Sequence, residues 1–177
     1  MNVILIGMPG CGKSTIGVVL AKTLRYGFID GDLLIQEKTG KRLQEIIDYD
    51  GLQRFYEVED EVLLGIGCEN TVVAPGGSAV YYPDAMAHLK ELGAVVYIQL
   101  SCENVKKRLG NLESRGVAGA KDKTVEELYN ERVPLYEKYA DFIVNCDEGS
   151  LSENAEKIAN VPSAFPLPAD NTRTEGT

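Results

Sequence analysis

Short, apolar, β-branched runs recur along the chain, and each is followed by a stretch with helical spacing. The runs are VILI (3–6), FID (28–30), TVVA (71–74), AVVYIQL (94–100) and FIV (142–144). They are continuous rather than alternating, which suits strands buried on both faces of a parallel sheet. Between them, residues 13–25 place Ile16, Val19, Leu20 and Leu24 on one helical face. Residues 32–49, 52–67, 83–92 and 102–109 also read as helices. The stretch 124–139 opens on Thr124 and Glu127, a capping box. Strands alternating with helices predict an α/β domain with right-handed crossovers. Two segments break the rhythm. Residues 110–123 are polar and glycine-rich and could form a flap. The stretch 160–177 has three prolines and no periodicity, and reads as a disordered tail.

Composition narrows the classes. At 177 residues, 44% of them hydrophobic, the chain can bury one core without staples. A net charge of −9 argues against nucleic acid or an anionic membrane as the main partner. An anionic substrate needs only a local positive pocket, so it stays open. Cys11, Cys68, Cys102 and Cys146 lie more than thirty residues apart and form no CxxC pair, which fits reduced thiols in the cytoplasm. MNVILIGMPG lacks a basic leader and reads as a strand rather than a signal peptide. No apolar stretch is long enough for a membrane span.

Gly7-Met8-Pro9-Gly10-Cys11-Gly12-Lys13-Ser14-Thr15 matches GxxxxGK[ST] in full, between a strand and an amphipathic helix. Glycines let successive backbone N–H groups turn inward into an anion-sized nest. The following helix adds its positive end. Gly10, Cys11, Gly12, Lys13, Ser14 and Thr15 are therefore the candidate triphosphate-binding residues. Lys13 can reach the β- and γ-phosphates, and the Ser14 hydroxyl can ligate Mg²⁺. Cys11 is read as a small side chain contributing its backbone. No NKxD guanine-reading motif occurs, which favours ATP over a GTPase switch.

The second run ends in Phe28-Ile29-Asp30-Gly31-Asp32. Two carboxylates at the C-terminal end of a strand face the place where open α/β sheets collect ligands. Asp30 could hold the Mg²⁺ shell, and Asp32 could accept from a substrate hydroxyl and act as base. The plainer alternative is a helix cap at Asp32 with Asp30 solvated.

With these residues in place, the chain resembles the shikimate kinase family over roughly residues 1–159. The resemblance is carried by GMPGCGKSTIG (7–17), FIDGDLLI (28–35), DGLQRFYEVE (50–59), APGGSAV (74–80), the loop near Arg115, and ERVPLYEKYAD (131–141). It implies a three-layer α/β/α P-loop fold with a five-stranded parallel sheet of order 2-3-1-4-5. It further implies acceptor-binding helices over 32–62 and a lid over 110–123. Residue by residue, Asp32 matches the aspartate that binds acceptor hydroxyls, and Asp30 the one near Mg²⁺. Gly76 and Gly77 match an acceptor-binding glycine turn. Arg115 matches the lid arginine that reaches the transferring phosphate. Arg132 matches the clamp on the acceptor carboxylate, and Arg108 the arginine stacked on adenine.

Three departures touch the acceptor side or the lid. Tyr56 stands where the family's FRxxE pattern has an arginine, offering one neutral hydrogen bond in place of a charged fork. About 10- to 150-fold in carboxylate affinity is at stake. Ser78 replaces the third glycine of the turn. The lid reads Ser114-Arg115-Gly116-Val117 rather than arginine followed by proline and leucines. Glu57, Glu59, Asp60 and Glu61 read mainly as a solvated helix face, with Glu59 a candidate to position an arginine. Tyr81, Tyr82, Tyr129, Tyr136 and Tyr139 read as packing, and His88 as a surface residue. The expected activity is ATP-dependent, Mg²⁺-assisted phosphorylation of an alcohol on a small hydroxy acid, shikimate first, by a monomer. The alternatives are another hydroxylated metabolite, such as homoserine or a sugar acid, and a non-catalytic nucleotide-binding regulator.

Overall fold

The structure, a computed structural model, describes residues 1–110, 117–119 and 123–161. Strands β1 (Asn2–Ile6), β2 (Gly27–Asp30), β3 (Thr71–Ala74), β4 (Gly93–Gln99) and β5 (Phe142–Asn145) form one sheet. Its order is β2-β3-β1-β4-β5 and every pairing is parallel. The expected 2-3-1-4-5 arrangement is thus the observed one. Central β1 is buried along its whole length, as an unbroken apolar run requires when helices cover both faces. Its one polar residue, Asn2, is satisfied across the sheet. Its amide donates to the Cys68 and Leu92 carbonyls and accepts from Thr71 N.

The helices are α1 (Lys13–Leu24), α2 (Gly31–Thr39), α3 (Leu43–Glu45), α4 (Leu52–Leu64), α5 (Pro83–Leu92), α6 (Cys102–Leu109), α7 (Val125–Tyr139) and α8 (Leu151–Ala159). The single helix expected over 32–49 is two. Gly40, at φ 67°, ends α2, and α3 then widens into a π-helical turn over Ile46–Asp50. A second apolar cluster forms here, from Ile35, Ile46, Phe55, Val58, Val62 and Ala118. The expected 52–67 helix stops at Leu64. Helix α8 has no counterpart in the sequence reading, although Ser150 and Glu153 form a capping box and Ala155 and Ile158 enter the core. Among the described residues no helix is long and apolar enough to cross a membrane.

Candidate active site

The C-terminal ends of β1, β2 and β3 deliver three loops to one edge of the sheet. A cleft of about 370 Å³ opens there, floored by the Gly7–Thr15 loop and the Pro75–Ser78 turn, with Asp32 and Arg132 on its walls. This is the location expected of a ligand site in an open parallel sheet. Gly10, Gly12, Lys13, Ser14, Thr15, Asp32, Gly76, Gly77, Ser78 and Arg132 all line it. Asp30, Cys11, Tyr56 and Arg108 do not. Arg115 and most of the 110–123 stretch lie outside the described residues, as does the tail from 162 onward.

The loop is built as a nest. Gly10 and Gly12 take φ values of 75° and 100°, open to glycine without strain. The Lys13 ammonium folds back to donate to the Gly7 and Met8 carbonyls at 2.9 and 3.2 Å. Cys11 is buried and shapes the loop from inside. Its N–H donates to Met8 O, and its carbonyl accepts from Arg108 Nη1 at 3.1 Å. Arg108 thus braces the outside of the loop. Ser14 and Thr15 are exposed at the first turn of α1.

The two aspartates divide their work in an unexpected way. Asp30, not Asp32, caps α2. Its Oδ1 accepts from Asp32 N at 3.0 Å and Leu33 N at 3.4 Å. Asp32 is therefore free of capping and turns into the cleft. Burial raises its carboxyl above the usual range, the Lys13 ammonium opposes that rise, and the Asp30 charge adds to it. A Mg²⁺ ion takes oxygen ligands, few of them from protein when phosphates are present. The Ser14 hydroxyl on the cleft lining supplies one such oxygen, which fits that ion, while Asp30, its Oδ1 given to the cap of α2, stands outside the lining. Among the described residues no cluster of three or more His, Cys, Asp or Glu makes a self-sufficient metal site.

Arg132 is 1% exposed, although α7 could have displayed it to solvent. Its Nε donates to Tyr81 OH at 2.9 Å and its Nη2 to Ala118 O at 2.6 Å, and Tyr81 also lies 5.0 Å under the guanidinium. Tyr81 passes the chain on to Glu131 at 2.5 Å, and Glu131 pairs with Lys123. No carboxylate pairs with Arg132 among the described residues. A buried cation without an anion is poised for one. One turn further on, Tyr136 donates to Gly77 O at 2.6 Å and holds the turn that faces Arg132.

Glu59 is the residue the sequence reading undervalued. It is 0% exposed rather than part of a solvated face. Its Oε2 accepts from Ser78 Oγ at 2.6 Å and Tyr82 OH at 2.8 Å, and its Oε1 has no partner among the described residues. Burial pushes its carboxyl up to about 7, against the pull of both hydroxyls. Its 3.6-residue register with Phe55 and Val62 was the available signal. The unfolded chain sheds this proton near the ordinary value of 4.5 and the folded chain near 7. Glu59 therefore stabilises fully below about pH 4.5, and that contribution is lost as pH rises to about 7. Glu59→Gln should remove about 3 kcal/mol of that decline. Denaturant unfolding of both proteins between pH 4.5 and 8 measures the difference, and parallel curves would exclude the effect.

Comparison with known proteins agrees with this geometry. A family model described as shikimate kinase matches residues 9–162. A shikimate kinase from Francisella tularensis subsp. novicida is 37% identical over 162 residues, spanning 89% of this chain and 92% of the relative. Among solved structures, shikimate kinase from Acinetobacter baumannii in complex with shikimate superposes with a TM-score of 0.80. It is 29% identical, over 89% of this chain and 90% of that one. Shikimate kinase from Aquifex aeolicus gives a TM-score of 0.78 at 29% identity, over 90% and 94%. With a P-loop, an inward aspartate and a buried arginine around one cleft, the chain belongs to the shikimate kinase family.

Proposed function

We propose that this chain transfers the γ-phosphoryl group of ATP to a hydroxyl of shikimate. The observation that carries the reading is that Asp32 and Arg132 line one cleft together with the phosphate loop. Phosphoryl transfer asks the protein mainly for positioning and charge stabilisation. The Gly10–Thr15 backbone and Lys13 hold the triphosphate, and Lys13 exchanges its loop carbonyls for charge-assisted bonds. Shikimate kinases use ATP with Mg²⁺. Ser14 would hold the ion here, with Asp30 in its surroundings. Bound Mg²⁺ would neutralise phosphate charge. Asp32 orients the acceptor hydroxyl and takes its proton. Arg132 grips the acceptor carboxylate, with the Tyr56 hydroxyl beside it and the Gly76–Gly77 backbone and Ser78 below. Arg108 belongs to the adenine side and Arg115 to the lid. In this reading residues 1–159 are the kinase unit, with 32–62 the acceptor face and 110–123 the lid.

Tyr56 is the acceptor-side residue most relevant to substrate choice. A Cβ on Gly119 would stand 2.8 Å from its hydroxyl and 3.6 Å from Arg132 Nη2, so the two side chains converge. The test is ADP release from Mg-ATP with shikimate, with homoserine and with no acceptor. Saturable turnover with shikimate alone is expected. Turnover with homoserine alone would move the acceptor to another hydroxy acid. Nucleotide binding without any acceptor-dependent turnover would favour a regulator.

A further inference from the structure

Glu59 is a fully buried carboxylate with no lysine or arginine nitrogen within ion-pair distance among the described residues. Buried charges are ordinarily paired or neutralised. Among the described residues the only groups bonded to it are the two hydroxyls of Ser78 and Tyr82. Arg132 from α7 and Asp32 from α2 act on it through space, with opposite signs. Its free Oε1 sits directly under the acceptor turn. A side chain begun at Gly76 would run into that oxygen and stand 3.1 Å from Asp32 Oδ1. The Gly76–Gly77 turn therefore rests on Glu59 and abuts the proposed base. Three residues before Glu59 on the same face of α4 stands Tyr56, its ring edge-on to Tyr82 at 6.1 Å. A cation at position 56 would lie in reach of the carboxylate, whereas a neutral phenol cannot pair with it.

We propose that Ser78 and Tyr82 are positioning residues of the acceptor site, two hydroxyls that hold Glu59 under the Gly76–Gly77 turn where this chain has no cation to do so. This rests on the cleft being a kinase acceptor site. The two positions are then coupled to position 56: each hydroxyl matters while residue 56 is neutral and becomes dispensable once it carries a charge. A hydrogen bond to a charged group sets the size of the effect at about 10-fold or more.

The test uses the full chain and the variants Ser78→Ala, Tyr82→Phe, Tyr56→Arg and the double variant Ser78→Ala with Tyr56→Arg. With shikimate as acceptor, Ser78→Ala and Tyr82→Phe should each raise the acceptor KM about 10-fold or more and leave the ATP KM unchanged. In the Tyr56→Arg background, Ser78→Ala should cost almost nothing, which a merely structural serine would not do. A second readout needs no turnover. Infrared difference spectra of the free enzyme, referenced to Glu59→Gln, report the protonation midpoint of Glu59. Loss of either hydroxyl should move it upward and Tyr56→Arg should move it downward. Equal rises in both KM values, an undiminished cost in the arginine background, or an unmoved midpoint would each overturn the proposal. Wild-type silence with shikimate would overturn the acceptor reading alone, and the infrared arm would still decide the role of the hydroxyls.

Discussion

Asp32→Asn should lower kcat by about 100- to 10,000-fold while ATP affinity stays close to wild type. The expectation follows from where the local fold puts each oxygen. Asp30 spends its Oδ1 on the start of α2, so that helix keeps its cap when Asp32 changes. Asp32 faces the cleft with its carboxyl raised by burial, which moves it toward the range where a base works well near neutral pH. Asparagine keeps the shape and one acceptor oxygen but cannot take a proton. The variant should also unfold no earlier than wild type, because a desolvated charge beside Asp30 has been removed. Single-turnover phosphoryl transfer, nucleotide titration and a thermal melt together decide it. Equal losses in kcat and ATP affinity would remove Asp32 from the base role.

The fold was legible because its strands are unambiguous. A run such as VILI or TVVA is apolar at every position, and only a sheet covered on both faces accommodates that. The order 2-3-1-4-5 came instead from the family resemblance. What composition and period could not show were interruptions set by single residues. Gly40 splits the helix expected over 32–49 by adopting a left-handed φ, a choice invisible to a periodicity argument that runs through it. Helix α8 carried its signal in Ser150 and Glu153, yet it is short and flanked by polar residues, so it passed unread.

The site was legible where chemistry depends on a linear motif and less so where it depends on packing. The phosphate loop is contiguous, and Asp30 and Asp32 sit on either side of one glycine, so spacing alone brought them forward. Even there the plainer reading had the cap at the wrong aspartate, because capping depends on backbone direction at Asp30 and not on residue type. Glu59, Tyr81 and Tyr82 come from α4 and the turn after β3. Their meeting is a consequence of the sheet order. Nothing local in Glu57-Val58-Glu59-Asp60-Glu61 marks the middle acid as buried, except that it shares a helical face with Phe55 and Val62. A run of acids drew the eye to solvent, and the helix put one of them under the acceptor turn.

Arg132→Met should raise the acceptor KM by about 30- to 5,000-fold, the effect of removing one partner from a buried charge pair worth about 2–5 kcal/mol. The ATP KM should change little, because Arg132 bonds to Tyr81 and Ala118 and not to the phosphate loop. The fold should tolerate the loss. The bonded partners left behind are a hydroxyl that still donates to Glu131 and one backbone carbonyl, neither of them an anion. The carbonyl of Ala118 loses its donor, at about 1–3 kcal/mol. Arg132→Lys should recover only part of the affinity. The guanidinium uses Nε toward Tyr81 and Nη2 toward Ala118, while Nη1 faces Gly77, 3.2 Å from where a Cβ would stand. A single ammonium nitrogen cannot occupy the three positions that the planar fork reaches. Acceptor and ATP KM values for both variants, with melting temperatures, separate the clamp from a packing role. An acceptor KM unchanged in the methionine variant would show that Arg132 braces Ala118 and Tyr81 and holds nothing else.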